Sequence, residues 1–578
     1  MKRLLVYLKE YKKESLLAPL FKMLEASFEL FVPLVMAAII DVGIKNSDAG
    51  YIFKMGGVLI LLGLVGLASS VTAQFFAAKA AVGFAEKLKH ALFSHIQGMS
   101  YSETDRIGIS TLITRLTSDV NQVQSGVNLV LRLFLRSPFI VFGAMVMAFT
   151  IDVRSALIFV VAIPLLSVVV FGIMLISIPL YKKVQAALDR VLRSTRENLS
   201  GVRVIRAFHQ EEEEKERFAE YNQALTGIQQ FVGRISALMN PVTYIIVNAA
   251  VIALIYTGAL QVEAGSLTQG EVIALVNYMS QILVELVKLA NLIITVTKAA
   301  ACANRISAVL ERPTGMEVRT TALEKAEETK ETPAVEFSHV SLRYAGGGAD
   351  ALTDLSFRAM PGETIGVIGG TGSGKTSLIN LIPRFYDATE GTVRVQGRAV
   401  TTYEPEQLKK KIGLVPQKAV LFSGTIRENM RFGREDASDE EIWEALRCAQ
   451  AEEFVKQKSG ELDFVVAQGG KNLSGGQKQR LTIARALVRQ PEILILDDSA
   501  SALDYATDAA LRKAIRELDR RMTVFIVSQR TASVLHADRI LVLEDGELVG
   551  AGTHEELLKH CAVYQEIYDS QITKAKEA

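Results

Sequence analysis

The first 300 or so residues carry six long apolar runs, near 16–41, 54–80, 128–150, 155–181, 240–262 and 270–297. Each is long enough to cross a bilayer as a helix, which takes ~20 mostly apolar residues, so the pattern predicts six membrane spans. The connections alternate in length. Those after the first, third and fifth runs are short (48–51, 152–154 and 263–269), whereas those after the second and fourth run for tens of residues and are rich in Lys, Arg and Glu. Positive residues gather at Lys2, Arg3, Lys12 and Lys13, at Lys87 and Lys89, and at Lys182, Lys183, Arg190 and Arg193. The positive-inside rule then places both termini and both long connections in the cytoplasm, with the short loops facing outward. Helix caps and heptad-like apolar spacing (Leu112, Leu116, Val120, Val123) extend spans two to five beyond the membrane. Each pair is expected to be joined at its tip by a short helix, near 100–107 and 201–207. The basic, amphipathic segment 1–13, with Leu4, Leu5, Val6 and Leu8, lacks a small-residue cleavage site and reads as an interfacial helix.

Some spans carry polar groups. Glu25 and Glu29 lie one turn apart in the first, Arg132 and Arg136 in the third, and Asn277, Gln281, Glu285, Lys288 and Asn291 dot the sixth. Intramembrane charge is costly and faces a bundle interior or a wet cavity. Two readings stand: a polar-lined substrate pathway, favoured for the group as a whole, or internal ion pairing, such as Glu285 with Lys288, and snorkelling near span ends.

The remainder of the chain has ordinary globular composition. Between 312 and 333 it turns hydrophilic, with Pro313, Gly315 and a Lys/Glu-rich run, which marks a linker. This divides the 578 residues into an α-helical membrane domain over 1–311 and, over 334–578, alternating strand-like and helical segments of an α/β nucleotide-binding domain. The net charge of +1 argues against nucleic acid as a partner. The three cysteines, Cys302, Cys448 and Cys561, are scattered without metal-ligand spacing.

The second half contains the chemistry. The string Gly369-Gly370-Thr371-Gly372-Ser373-Gly374-Lys375-Thr376 follows a strand-like run, 364–368, and opens a helical stretch at Ser377. In this setting the glycines let backbone N–H groups curl round phosphate, Lys375 reaches the terminal phosphates, and Thr376 can hold Mg²⁺. The tag Leu473-Ser474-Gly475-Gly476-Gln477 follows, and then an apolar strand, Ile493-Leu494-Ile495-Leu496, ending on Asp497.

With these motifs in this order the chain resembles the ABC transporter family, and the six spans ahead of one cassette resemble its exporter branch. The resemblance covers essentially the whole chain, with residues 201–208 resembling the second coupling region of those exporters. It implies that Tyr344 stacks on adenine, that Gln417 and Asp497 join Thr376 at Mg²⁺, and that Ser474, Gly475, Gly476 and Gln477 pack against ATP held by an opposite subunit. It further implies that residues 501–504 cross the interface between two such cassettes.

Two positions depart from the family pattern. The residue after the Walker B aspartate is a glutamate in the family and polarises the attacking water; here it is Asp498. One methylene shorter, its carboxylate falls about 1–1.5 Å short of the water, a displacement that can lower the rate about a hundredfold. The switch histidine, which contacts the γ-phosphate in the family, is replaced by Gln529, which can donate a hydrogen bond but cannot shuttle a proton. Gln468 stands where many exporters have a glutamate upstream of the tag. The pattern resembles the degenerate-site subunit of heterodimeric bacterial multidrug exporters. It implies ATP-driven efflux of amphipathic, drug-like compounds across the plasma membrane, with a second half-transporter as partner whose active site this chain's tag completes. A lipid flippase, a peptide exporter (against which stands the lack of an N-terminal peptidase-like segment), an ATP-gated regulator and a homodimeric slow ATPase are the alternatives.

Overall fold

The computed structural model describes residues 2–315, 332–344, 347–499, 501–518 and 522–577; most of the predicted linker, 316–331, lies outside these. The described residues fall into two compact units. One comprises residues 1–97 and 110–312, the other 98–109 and 313–578.

The first unit is helical throughout. Six segments, Leu4–Ile44, Ala49–Gln97, Ile109–Ile151, Val153–Ser200, Glu211–Glu263 and Gln269–Leu310, are long and apolar enough to cross a membrane. Each contains one predicted run. Spans two to five are 43 to 53 residues long, about twice what a bilayer requires. Their helices are α1 (Lys12–Ala38), α2 (Ala49–Gln97), α3 (Tyr101–Ile107), α4 (Ile109–Thr114), α5 (Val120–Leu133), α6 (Arg136–Ile151), α7 (Val153–Ser200), α8 (Val202–Ala207), α9 (Glu211–Ala237), α10 (Met239–Glu263) and α11 (Gln269–Leu310). The expected tip helices are α3 and α8, and α3 clusters with the second unit.

Local chemistry accounts for the irregularities. The amphipathic N-terminus winds as a 3₁₀ helix, Lys2–Tyr11, with Leu4 buried; Glu10 pairs with Lys87 of α2. A π-helical turn, Arg115–Asp119, inserts one residue between α4 and α5. That shift leaves Leu116 only half-buried while Leu112, Val120 and Val123 lie inside. The third span breaks between Leu133 and Arg136. Pro138 is the cause, since it has no N–H for the ladder and its ring crowds the preceding turn.

The break places Arg136 and Ser137 at the first turn of α6, aimed at α1 and α11. The Arg136 guanidinium donates to Glu285 and to Glu29, each at 2.6 Å, and Ser137 Oγ donates to Glu285 at 2.8 Å. Lys288 adds a 2.8 Å bond to Glu285. Lys22, itself buried, bonds Glu25 and Ser70. Arg136, Glu29, Glu285 and Lys288 thus pair with one another, as the ion-pairing reading expects for Glu285 with Lys288. A cavity of about 530 Å³ in this unit is apolar, between Leu157, Val161 and Leu165 of α7 and Ile245, Ile246 and Ala249 of α10.

The second unit is α/β. In chain order it contains β1 (Val335–Leu342), β2 (Leu352–Ala359), β3 (Thr364–Gly369), α12 (Lys375–Leu381), β4 (Glu390–Val395), β5 (Arg398–Ala399), α13 (Pro405–Lys411), β6 (Ile412–Val415) and β7 (Gly424–Thr425). A helical stretch follows, α14 (Ile426–Arg431), α15 (Asp439–Cys448) and α16 (Glu452–Lys456), then β8 (Val465–Val466), α17 (Gly475–Val488) and β9 (Ile493–Asp497). The chain continues through α18 (Tyr505–Arg516), β10 (Thr523–Val527), α19 (Thr531–Val534), β11 (Arg539–Glu544), β12 (Glu547–Gly552), α20 (His554–His560) and α21 (Ala562–Glu577). An antiparallel sheet has the order β2-β1-β4-β5, and a larger sheet the order β12-β11-β3-β10-β9-β6. The latter is parallel apart from β12. All five residues of β9 are buried, which is why that strand reads as an unbroken apolar run and not as an alternation.

Removing one partner of a buried ion pair leaves the other charge uncompensated, at about 3–5 kcal/mol. Arg136→Gln is therefore expected to lower the thermal unfolding midpoint of the purified chain in detergent, followed by scanning fluorimetry.

Candidate functional site

Three strand ends meet at one edge of the parallel sheet. The register sets Val527 of β10 beside Val367 of β3 on one side and Asp497 of β9 on the other. At this carboxyl edge, where ligands bind in open α/β sheets, β3 enters the glycine-rich loop, β9 passes to Asp498 and β10 passes to Ser528 and Gln529. Thr371, Gly372, Gly374, Lys375, Thr376, Ser377, Gln417, Asp497, Asp498 and Gln529 line a common cavity of about 250 Å³.

Close packing dictates the glycines at both ends of the loop. A Cβ on Gly369 would lie 2.2 Å from the Leu543 carbonyl oxygen, and Gly374 turns the chain at φ 93°. Lys375 opens α12 and folds over the loop, its Nζ donating to the carbonyls of Gly369 at 2.9 Å and Gly370 at 2.5 Å and to Ser373 Oγ at 3.2 Å. Burial holds its ammonium below the usual lysine range, with the charges of Asp498 and Asp497 working against the shift. A buried ammonium whose bonds run to neutral carbonyls and a hydroxyl suits a polyphosphate, which brings the opposite charge.

Thr376 Oγ1 donates to Asp497 Oδ2 at 3.2 Å. Burial pushes the Asp497 carboxyl above the usual range; the Thr376 bond opposes this and the Asp498 charge reinforces it. A hydroxyl and a desolvated carboxylate side by side supply the hard oxygen ligands that Mg²⁺ selects, so the residues present fit that ion.

Asp498 has a left-handed backbone, φ 45°, a conformation that Asp and Asn tolerate better than most residues because the short polar side chain bonds locally. Its N–H donates to the Val527 carbonyl at 2.9 Å, and its own carbonyl accepts from Ser501 Oγ at 2.8 Å. Gln417 Nε2 donates to its carboxylate at 3.3 Å. Gln529 is exposed at the cavity wall. Gln468, in a short 3₁₀ turn, is also exposed.

Other sequence-selected residues lie apart from this cavity. Ser474 caps α17 in a reciprocal box with Gln477, the hydroxyl accepting from Gln477 N and the amide oxygen from Ser474 N. Gly475 is exposed at that helix start, and a Cβ on Gly476 would come within 3.1 Å of the Ala502 carbonyl. The tag is thus braced on the following loop and presents its helix N-terminus outward. Tyr344 bonds Ser377 Oγ through its hydroxyl at 2.9 Å and meets the Tyr386 ring edge-on at 5.0 Å.

Tyr386 leads to contacts that sequence reasoning missed. Its hydroxyl donates to Asp105 of α3 at 2.5 Å, and Tyr101 of α3 stacks on Phe385 at 4.4 Å. Desolvation, with the Asp105 charge added, raises the Tyr386 phenol well above its ordinary range. The adenine-side tyrosine predicted from sequence is therefore one ring away from the tip helix that follows α2. Nothing in the local sequence marks this, since the partners are 281 residues apart.

Comparison with known proteins gives a consistent result. Profiles described as ABC transporter transmembrane region and ABC transporter match residues 15–286 and 352–501. The ABC transporter ATP-binding protein YfiB of Bacillus subtilis is 37% identical over 574 residues, 99% of this chain and 98% of the relative. The chain belongs to the ABC transporter family. The ATP-dependent lipid A-core flippase of Escherichia coli is 29% identical, across 97% of this chain and 96% of its own. A solved bacterial Atm1-family ABC exporter with ATP bound shares the fold, with a TM-score of 0.77 and 23% identity, over 97% of this chain and 98% of that one. As an ABC exporter the chain is an ATP-binding ATPase and translocase, a multi-pass membrane protein with a cytoplasmic ABC domain.

Tyr386→Phe keeps the ring contacts and removes the bond to Asp105, a charged hydrogen bond worth about 1.5–3 kcal/mol. Amide exchange in α3 of the full-length chain should accelerate at least about tenfold, with the sheet core unchanged, as read by hydrogen–deuterium exchange mass spectrometry.

Proposed function

We propose that this chain is one subunit of a heterodimeric exporter of amphipathic, drug-like small molecules in a bacterial plasma membrane, with both termini cytoplasmic. The membrane domain is read as 1–311, the linker as 312–333 and the cassette as 334–578. In this reading Lys375 and the loop Gly369, Gly370, Thr371, Gly372, Ser373 and Gly374 hold the phosphates of ATP. Tyr344 stacks on its adenine, and Thr376, Gln417 and Asp497 hold Mg²⁺. Ser474, Gly475, Gly476 and Gln477 face the nucleotide of the partner subunit.

One observation supports the asymmetry above the others. Every phosphate- and metal-binding position around the 250 Å³ cavity is filled as ATP requires, while the two positions that activate water hold Asp498 and Gln529. The Asp498 carboxylate accepts from Gln417, and its backbone has a left-handed conformation that Asp tolerates better than most residues. The chain's own site then retains ATP and turns it over slowly, and hydrolysis proceeds at the site its tag completes. ATP binding closes the paired cassettes, and hydrolysis at the partner-supplied site resets them.

The name of a 31% identical relative, the Bacillus subtilis protein YgaD, refers to multidrug export, which supports a drug-like cargo. The flippases at 33% and 29% identity keep a lipid cargo as the second reading; a peptide exporter and a homodimeric slow ATPase complete the alternatives.

The purified chain alone should show slow ATP hydrolysis in a phosphate-release assay. Asp498→Glu combined with Gln529→His should raise the rate by about a hundredfold, as expected for a water and its base brought about 1 Å closer. Fast turnover by the unsubstituted chain, with no gain from the double substitution, would remove the degenerate-site reading.

A further inference from the structure

The switch loop is held from behind by the last helix. Gln571 of α21 donates from Nε2 to the Gln529 carbonyl at 2.8 Å, while its Oε1 accepts from both Thr531 N and Thr531 Oγ1 at 2.9 Å. One side-chain amide thus brackets residues 529–531. The arrangement meets a specific deficit: α19 starts at Thr531, and the preceding Arg530 provides no side-chain cap. The N–H of Thr531, buried at 5% exposure, finds its acceptor on α21.

The helix that supplies the amide is itself fixed. Tyr564 on α21 is fully buried and packs with Ile368 of β3, Val534 of α19 and Val542 of β11. Its hydroxyl shares a 2.8 Å hydrogen bond with His554 Nδ1. Movement of the loop therefore requires either breaking the three Gln571 bonds or shifting a helix packed on the sheet.

We propose that Gln571 is a positioning residue for the switch loop, holding Gln529 so that its side chain meets the terminal phosphate of ATP at this chain's own site. The proposal rests on the reading of Gln529 as the γ-phosphate contact. Gln571 touches neither nucleotide nor reacting atoms; it acts through the Gln529 backbone.

The contrast between tri- and diphosphate tests it, because only the triphosphate reaches Gln529. Release of the fluorescent, non-hydrolysable mant-AMPPNP and of mant-ADP, each with Mg²⁺, is measured by stopped flow from the full-length chain in lipid nanodiscs. Gln571→Ala should speed mant-AMPPNP release about tenfold, the equivalent of roughly 1.4 kcal/mol, and leave mant-ADP release unchanged. Gln571→Glu keeps acceptors for Thr531 and loses the donor to Gln529 until the carboxyl is protonated. Its mant-AMPPNP release should therefore slow toward that of the unsubstituted chain as pH falls through the carboxylate range, with no such trend in the unsubstituted chain.

Equal acceleration of both nucleotides would show general loosening of the domain and overturn the proposal, as would no change in either. Because the triphosphate is not hydrolysed, the assay is independent of turnover. Fast hydrolysis by the chain alone would overturn the degenerate-site reading while leaving the nucleotide contrast intact.

Discussion

The carboxyl edge of a parallel sheet buried on both faces is the constraint on which the catalytic half depends. Strands with no solvated face must be apolar along their length, as Ile493, Leu494, Ile495 and Leu496 are. Polar groups can then enter only where the strands stop, and the register of β3, β10 and β9 makes them stop together. Lys375, Asp497 and Asp498 are gathered there at the price of partial desolvation, visible in the lowered lysine and the raised Asp497.

The membrane half solves the opposite problem. Its surroundings offer no water for stray charge, so Arg136, Glu29, Glu285 and Lys288 satisfy one another across α6, α1 and α11. Pro138 makes this possible by ending one helix and starting another, which turns the first residues of α6 toward the neighbouring helices. The apolar groove between α7 and α10 is chemically distinct from this cluster. Within this unit, the paired charges serve cohesion between helices.

In the catalytic unit, aromatic and amide side chains extend the site outward. Tyr344 meets Tyr386, which reaches Asp105 of the tip helix, and Gln571 reaches the switch loop from α21. Asp498 shows how a departure from a family pattern can be locally comfortable. Its backbone is left-handed, its carbonyl accepts from Ser501 and its carboxylate from Gln417.

Much of the molecule was legible in the sequence because the relevant physics is local. Hydropathy marks the spans, since crossing a bilayer takes a continuous apolar run. Gly369, Gly372 and Gly374 of the phosphate loop mark a backbone that strongly favours glycine, and Ser474 with Gln477 encodes its own helix cap three residues apart. Glu285 with Lys288, three residues apart, was legible as a pair, whereas the tertiary structure alone decided that Arg136 joins Glu285, because the two are 149 residues apart and no periodicity links them. It likewise decided that Tyr386 meets Asp105 and that Gln571, 42 residues from Gln529, holds the switch loop. A single polar residue on a helix face carries no record of its partner; that partner exists only once the chain has folded and burial makes an unpaired group costly.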